Sequence, residues 1–325
     1  MSNLLAEAAA QVTKFTCAAP VAKGSTLISK LKGLVGAASL IYWVWVSLAT
    51  QIIIVVTGGL VRLTGSGLGC PTWPNCTEDS LVTVPEQGIH GVIEFANRLL
   101  TFVLVLVALG TFLAVRRLAK PERIGLHWPA LTLGLGIVAQ AVVGGVTVKM
   151  KLNSWIVGVH FVISAVMILV AAVLVWNFYR PKLEAVPKLV GDLSLPVSVL
   201  GGIAVILGVL VTGAGPHAGD AETPRNGFDL ETWQHFHSYP AYLLFVVVLI
   251  QFSKLLPGDR RKPFGQWRIQ TRVTALLLLN LALQAVVGIA QSRLGVPPVL
   301  VAIHMALAST AIVALTWQSL ALRRK

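Results

Sequence analysis

Charge is scarce in this chain. Only 12% of its 325 residues are charged, and acids number 13 against 26 Lys and Arg. With a hydrophobic share of 55% and a mean hydropathy of +0.78, that balance excludes an ordinary soluble composition. The formal charge of +13 forms no basic groove, so no nucleic-acid partner is expected. Cysteine is down to three residues, Cys17, Cys70 and Cys76. No cleavable signal peptide is expected either, because the first 34 residues are polar and the first apolar run is too late and too long to be one.

Apolar length is what the chain has in abundance. About 20 apolar residues cross the hydrocarbon core as a helix. Eight stretches reach that length: 37–61, 88–114, 129–148, 155–178, 195–213, 232–252, 272–291 and 298–320. Twenty of the 26 basic residues fall before the first span, in alternate connections, or at the end of the chain. By the positive-inside rule both termini are cytoplasmic, and the charge is topogenic and lipid-facing. The reading is an all-α integral membrane protein of the cell membrane.

The chain also repeats itself. "AQAVVGGVTVKMKLNSWIVGVHFVISA" (139–165) resembles "LQAVVGIAQSRLGVPPVLVAIHMALAS" (283–309). "IEFANRLLTFVLVL" then corresponds to "WQHFHSYPAYLLFVVVL", and "TGSG" to "TGAG", where "VTGG" (56–59) competes for the same place. Each repeat has four spans, so both enter from the same side, related by an axis along the membrane normal. The expected organisation is a cytoplasmic arm (1–34), a first four-helix bundle (35–180) with an outer cysteine loop (62–87), a cytoplasmic linker (181–194) and a second bundle (195–325). The two bundles are expected to be pseudo-symmetric.

Ionisable groups inside spans are costly and mark function. His160 and His304 occupy equivalent places near the outer ends of the fourth and eighth spans, and His237 lies at similar depth in the sixth. His235 is two residues from His237 and so faces nearly the opposite way on a helix. The repeat favours His237, with Gln234 and His237 standing where Glu94 and Asn97 stand in the second span. His237 and His304 can therefore hold a haem between two axial imidazoles, or be two satisfied histidines near the interface. The first half offers His160 opposite Asn97, a poor axial ligand, with Glu94 one turn away. A haem there has an open face, which suits oxygen chemistry; closed coordination suits electron transfer. Glu94 is placed to handle protons near neutral pH, or simply to pair with Arg98 four residues on. His90 and His217 read as outer-surface residues, and His127 lies on the cytoplasmic side.

"TGSGLGCPTWPNC" (64–76) is the densest cluster of glycine, proline and cysteine. It lies outside, where an oxidising space permits a Cys70–Cys76 disulfide, either as a structural staple or as a redox-active pair. Its glycines let backbone approach a bulky porphyrin edge, making the loop a pinned lid over the first-half pocket. Arg62 and Arg98 are candidates for haem propionates, or they snorkel to lipid headgroups.

"TGGLVRLTGSGLGCPTWPNC", followed by "IEFANRLL" and by the helix-embedded His160, His237 and His304, resembles the haem A synthase family over roughly residues 40–320. The resemblance implies oxidation of the C8 methyl of haem O to the formyl group of haem A, by successive hydroxylations and loss of water. The product serves terminal oxidases. It implies a haem b held by His237 and His304, a substrate site matched by Glu94 and His160, and Cys70 and Cys76 in electron or haem transfer. Implied partners are haem O, an electron donor, the lipid bilayer, haem O synthase and terminal oxidase assembly factors. Two departures stand out. The family's Glu-x-x-His-Arg here reads Glu94-Phe95-Ala96-Asn97-Arg98, so the first axial pair is incomplete. The second cysteine pair that some members carry between the fifth and sixth spans is missing from "GAGPHAGD". The competing reading is a non-catalytic membrane cytochrome, with one haem b or two, which leaves Glu94 and the cysteine loop idle. A transporter fits less well, since the polar residues gather at the outer end instead of the bilayer midplane.

Overall fold

The computed structural model of the chain describes Gly36 and residues 39–323. Cys17 and the arm 1–34 lie outside the described residues, as does the start of the first expected span. Among the described residues there is no strand. Eight helices are long and apolar enough to cross a membrane: α1 (Leu40–Leu63), α2 (Gly88–Arg116), α3 (His127–Lys149), α4 (Ser154–Tyr179), α5 (Ser194–Ala214), α6 (Leu230–Leu255), α7 (Ile269–Arg293) and α8 (Pro298–Leu322). They match the eight expected spans to within a few residues at each end.

Local chemistry sets several ends. The Asn153 side chain accepts from the Trp155 N–H at 3.1 Å and opens α4, and Asp229 accepts from the Thr232 N–H at 2.7 Å and opens α6. Pro298 stands at the first position of α8, where its missing N–H is no loss. The α1–α4 helices pack in a closed ring, α1 on α2, α2 on α3, α3 on α4 and α4 on α1, and α5–α8 form a second ring in the same order. The rings join where α8 packs on α1 and α4, and α4 on α5. Met305 of α8 fills the space a side chain at Gly59 would need, and the Trp317 indole N–H donates to the Ala172 carbonyl at 2.9 Å. Outward faces carry bare apolar side chains, Phe102 and Leu106 among them. In water such a belt is a liability, whereas lipid is its natural solvent.

One end of the molecule holds the connections 117–126, 180–193 and 256–268. Its knot is Asp259, which is fully buried. Burial alone raises a carboxyl. Here hydrogen bonds from Arg268 (2.8 Å), Thr271 (2.7 Å) and Lys262 (3.2 Å) outweigh it and hold Asp259 down at about 2.

Candidate functional site

The opposite end carries the connections that follow α1, α3, α5 and α7, and they clasp one another. Gly67 donates its N–H to the Gly219 carbonyl at 2.8 Å. Arg62 donates to the carbonyls of Thr212 (2.6 Å) and His217. The His217 ring Nε2 meets the Val296 carbonyl at 2.9 Å, and Thr223 reaches the Lys151 carbonyl. The connection between α5 and α6 thus touches all three others.

Within that end, the loop after α1 is held from beneath by α2. The sulfurs of Cys70 and Cys76 lie within bonding distance, with their Cα atoms 4.4 Å apart. Arg98 uses all five of its N–H donors. It donates to the carbonyls of Cys70 (2.8 Å), Thr72 (3.0 Å) and Asn75 (3.0 Å), and its Nε and Nη2 donate to Glu94 Oε1 at 3.1 and 2.6 Å. The other oxygen of Glu94 accepts the Cys70 N–H at 2.6 Å. Among the described residues Glu94 is the only carboxylate deeper than the first turn of any of the eight helices. Trp73 folds over onto Gly145 of α3, so closely that a Cβ there would sit 2.3 Å from the indole. The adjacent Gly144 carries the His160 ring, 3.4 Å from the same imaginary Cβ. The loop therefore covers the place where His160 sits. A lone tryptophan in a loop gives no periodic signal, so this contact is not legible in the sequence.

Each of the three half-buried imidazoles rests on a glycine of a neighbouring helix: His160 on Gly144, His304 on Gly288 and His237 on Gly208. A side chain at any of these glycines would press on the ring. Gly144 and Gly288 hold the same register in the repeated segments, which is the one sequence signal that marks them. The His237 and His304 rings face each other with centroids 6.3 Å apart and planes at 78°. The Nδ1–H of His237 donates to the Ala204 carbonyl at 2.9 Å, which fixes its tautomer and leaves Nε2 with a free lone pair. The Nδ1 atoms of His160 and His304 are buried without a partner. None of the three Nε2 atoms has a hydrogen-bond partner among the described residues. The second-half pair therefore has the donor type and spacing to share one metal centre, with the tautomer of His237 set by Ala204.

Asn97 sits at the fourth such place. Its Nδ2 is 3.9 Å from where a Cβ on Gly58 would stand, and its Oδ1 pairs with the Thr57 hydroxyl at 2.8 Å. Other expected positions fall elsewhere. His235 is exposed and stacks on Tyr239, His90 pairs with Ser66 at 2.9 Å, and His127 lies at the far end against Phe112. An open cavity of about 550 Å³ lies between the loops, lined by Gly69, Pro71, His90 and Asp220 among others. Sequence reading missed Thr57, and it used Gln140 only to set the repeat's register, whereas its amide donates to the His160 carbonyl at 3.1 Å.

Fold and site together define a multi-pass membrane protein with imidazole sockets in two rings of four helices. More particularly, the chain belongs to the COX15-CtaA family of cytochrome oxidase assembly proteins, which matches residues 41–316. It is 30% identical to the heme A synthase of Listeria monocytogenes serovar 1/2a over 268 residues, covering 76% of this chain and 83% of the relative. The heme A synthase of Listeria welshimeri is 29% identical over the same coverage. That of Geobacillus kaustophilus is 33% identical over 109 residues, a third of each chain.

Proposed function

We propose that this chain is a haem A synthase, an oxidoreductase that converts the C8 methyl of haem O to the formyl group of haem A. The observation that carries the reading is the unlike filling of two like rings. The second holds two facing imidazoles, His237 and His304. The first holds one imidazole, His160, with the amide Asn97 and the buried carboxylate Glu94 at the other side. Family membership and the name shared by the relatives support the same conclusion.

On this reading His237 and His304 hold a haem b, which when bound supplies one-electron transfer. Ala204 fixes the tautomer of His237, and Gly208 and Gly288 give the rings room. Haem O is the substrate, held through His160. The Cys70–Cys76 loop is a disulfide-stapled lid that keeps water from the substrate, with Trp73 as its underside. Arg62 and Arg98 shape its rim. Glu94 is the group placed to take up and release protons during that oxidation. It is fixed for that role by Arg98 and the Cys70 N–H, and it lies one turn from Asn97 on the same helix face.

The two rings are pseudo-symmetric halves, with substrate site at 35–180 and haem b site at 195–325. Both termini face the cytoplasm, and the sockets open toward the outer face of the cell membrane. The enzyme works with an electron donor and with the proteins that supply haem O and receive haem A. Pigment extraction from purified protein tests the assignment. Haem O or haem A beside haem b is expected, whereas haem b alone would assign a simple electron-carrying cytochrome.

A further inference from the structure

The two rings handle one backbone carbonyl differently. In the second ring the Ala204 carbonyl, four residues before Gly208 on α5, accepts the Nδ1–H of His237. In the first ring the α1 glycine beside Asn97 is Gly58, and the carbonyl four residues before it is that of Ile54. It lies 3.3 Å from the Thr57 hydroxyl, which is also 3.0 Å from the Ile53 carbonyl. Thr57 thus stands between Asn97 and the acceptors that a histidine ring would use. A hydroxyl has one proton to give, and the nearest acceptor is Asn97 Oδ1, at 2.8 Å. With Oδ1 taken, the amide's remaining face is its Nδ2, which has no hydrogen-bond partner among the described residues and sits beside Gly58.

From this we propose that Thr57 and Asn97 form a built site for a small anionic ligand of the iron opposite His160. Thr57 is the positioning residue. The Asn97 Nδ2–H is the donor that meets the ligand. The pair does two things: it withholds a second protein ligand, and it offers a hydrogen bond to whatever enters. This rests on the reading of the first ring as the haem O site and deepens it. The second ring has no such site, because both of its faces are taken by His237 and His304.

The test uses the purified full-length protein carrying its pigments, titrated by visible absorption with sodium azide and, after reduction, with carbon monoxide. In the native chain azide should shift one pigment and leave the pigment of His237 and His304 unmoved. Asn97→Leu should weaken azide binding about ten- to a hundredfold, the worth of one hydrogen bond to a charged group, while carbon monoxide binding holds. Thr57→Val should weaken azide in the same direction, and Thr57→Ser should restore it. Asn97→His should close the face and abolish azide binding altogether. Azide affinity unchanged in Asn97→Leu, or loss of azide and carbon monoxide together, overturns the donor role. A native first-ring pigment inert to both ligands overturns the site itself. A preparation with no pigment that depends on His160 contradicts the substrate assignment instead, so the two failures are distinguishable.

Discussion

The backbone N–H of Cys70 points at Glu94 Oε2 from 2.6 Å away. The buried carboxylate of α2 is thereby tied directly to the cysteine loop above it, and Arg98 completes the tie from the other oxygen. Loop and carboxylate form one hydrogen-bonded unit.

That unit makes Glu94 sensitive to both charge and shape. Glu94→Gln keeps an acceptor for Arg98 and much of the geometry but removes the proton-handling group. Haem O should accumulate unconverted in the purified variant while pigment content stays near native. Glu94→Ala strips the partner from a largely buried guanidinium, a change that typically costs about 3–5 kcal/mol, so its thermal unfolding should come earlier than that of Glu94→Gln. Normal haem A yield from Glu94→Gln would remove Glu94 from the chemistry.

The loop has two fasteners of different kinds. With the Cys70 and Cys76 sulfurs bonded, closing so short a ring contributes about 2 kcal/mol through chain entropy. Arg98 contributes three carbonyl contacts that a lysine, with its compact ammonium, does not reproduce. Hydrogen exchange across residues 68–76 should therefore quicken more in Arg98→Lys than in the Cys70→Ser, Cys76→Ser double variant. The reverse order would make the sulfurs the principal fastener.

The glycines beneath the imidazoles give a selective handle. Gly208→Val places its Cβ 3.1 Å from the His237 Cε1, tighter than ordinary contact, so the ring must shift and the second-ring pigment should be lost while the first is spared. Gly144→Val should do the converse. Gly134, also on α3, has nothing within 4 Å of its imaginary Cβ, and Gly134→Ala should leave both pigments intact. Spectra that lose both pigments in either valine variant would break the one-glycine, one-socket correspondence.

At the other end of the molecule Asp259 has its carboxyl held at about 2, below the ordinary aspartate value of 3.8. A depressed acid contributes stability above its unfolded value and loses it as pH falls through the folded one. Protection of residues 256–268 from hydrogen exchange should therefore persist at pH 4 and fade toward pH 2. Asp259→Asn should weaken that protection at neutral pH. Fading already complete by pH 4 would mean that Arg268 and Thr271 do not stabilise the charged form.

Much of this molecule is legible in the sequence, for a physical reason. Lipid demands long apolar helices, so hydropathy alone marks α1 to α8 within a few residues. The His160 and His304 register is read from the repeated segment, and where helical periodicity sets His235 and His237 on opposite faces, the repeat singles out His237. What stays hidden is contact between segments that share no period. Nothing in "CPTWPNC" says that Trp73 reaches Gly145, or that Arg98 spends every donor, three of them on loop carbonyls. Thr57 is one threonine among many in apolar helices, and only its distance to Asn97 singles it out. The connection 215–229 stands out in the sequence only for His217 and the missing cysteine pair, yet Arg62, Gly67, Lys151 and Val296 all bond to it.

The central claim is that the two rings hold iron differently. Low-temperature electron paramagnetic resonance on the purified, oxidised protein reads this directly, since paired imidazoles give a low-spin signal, whereas one imidazole with a weak or open sixth position gives a high-spin one. The account predicts a low-spin signal that disappears in His237→Ala and in His304→Ala and survives in His160→Ala. A low-spin signal indifferent to His237 and His304, or abolished equally by His160→Ala, would contradict it.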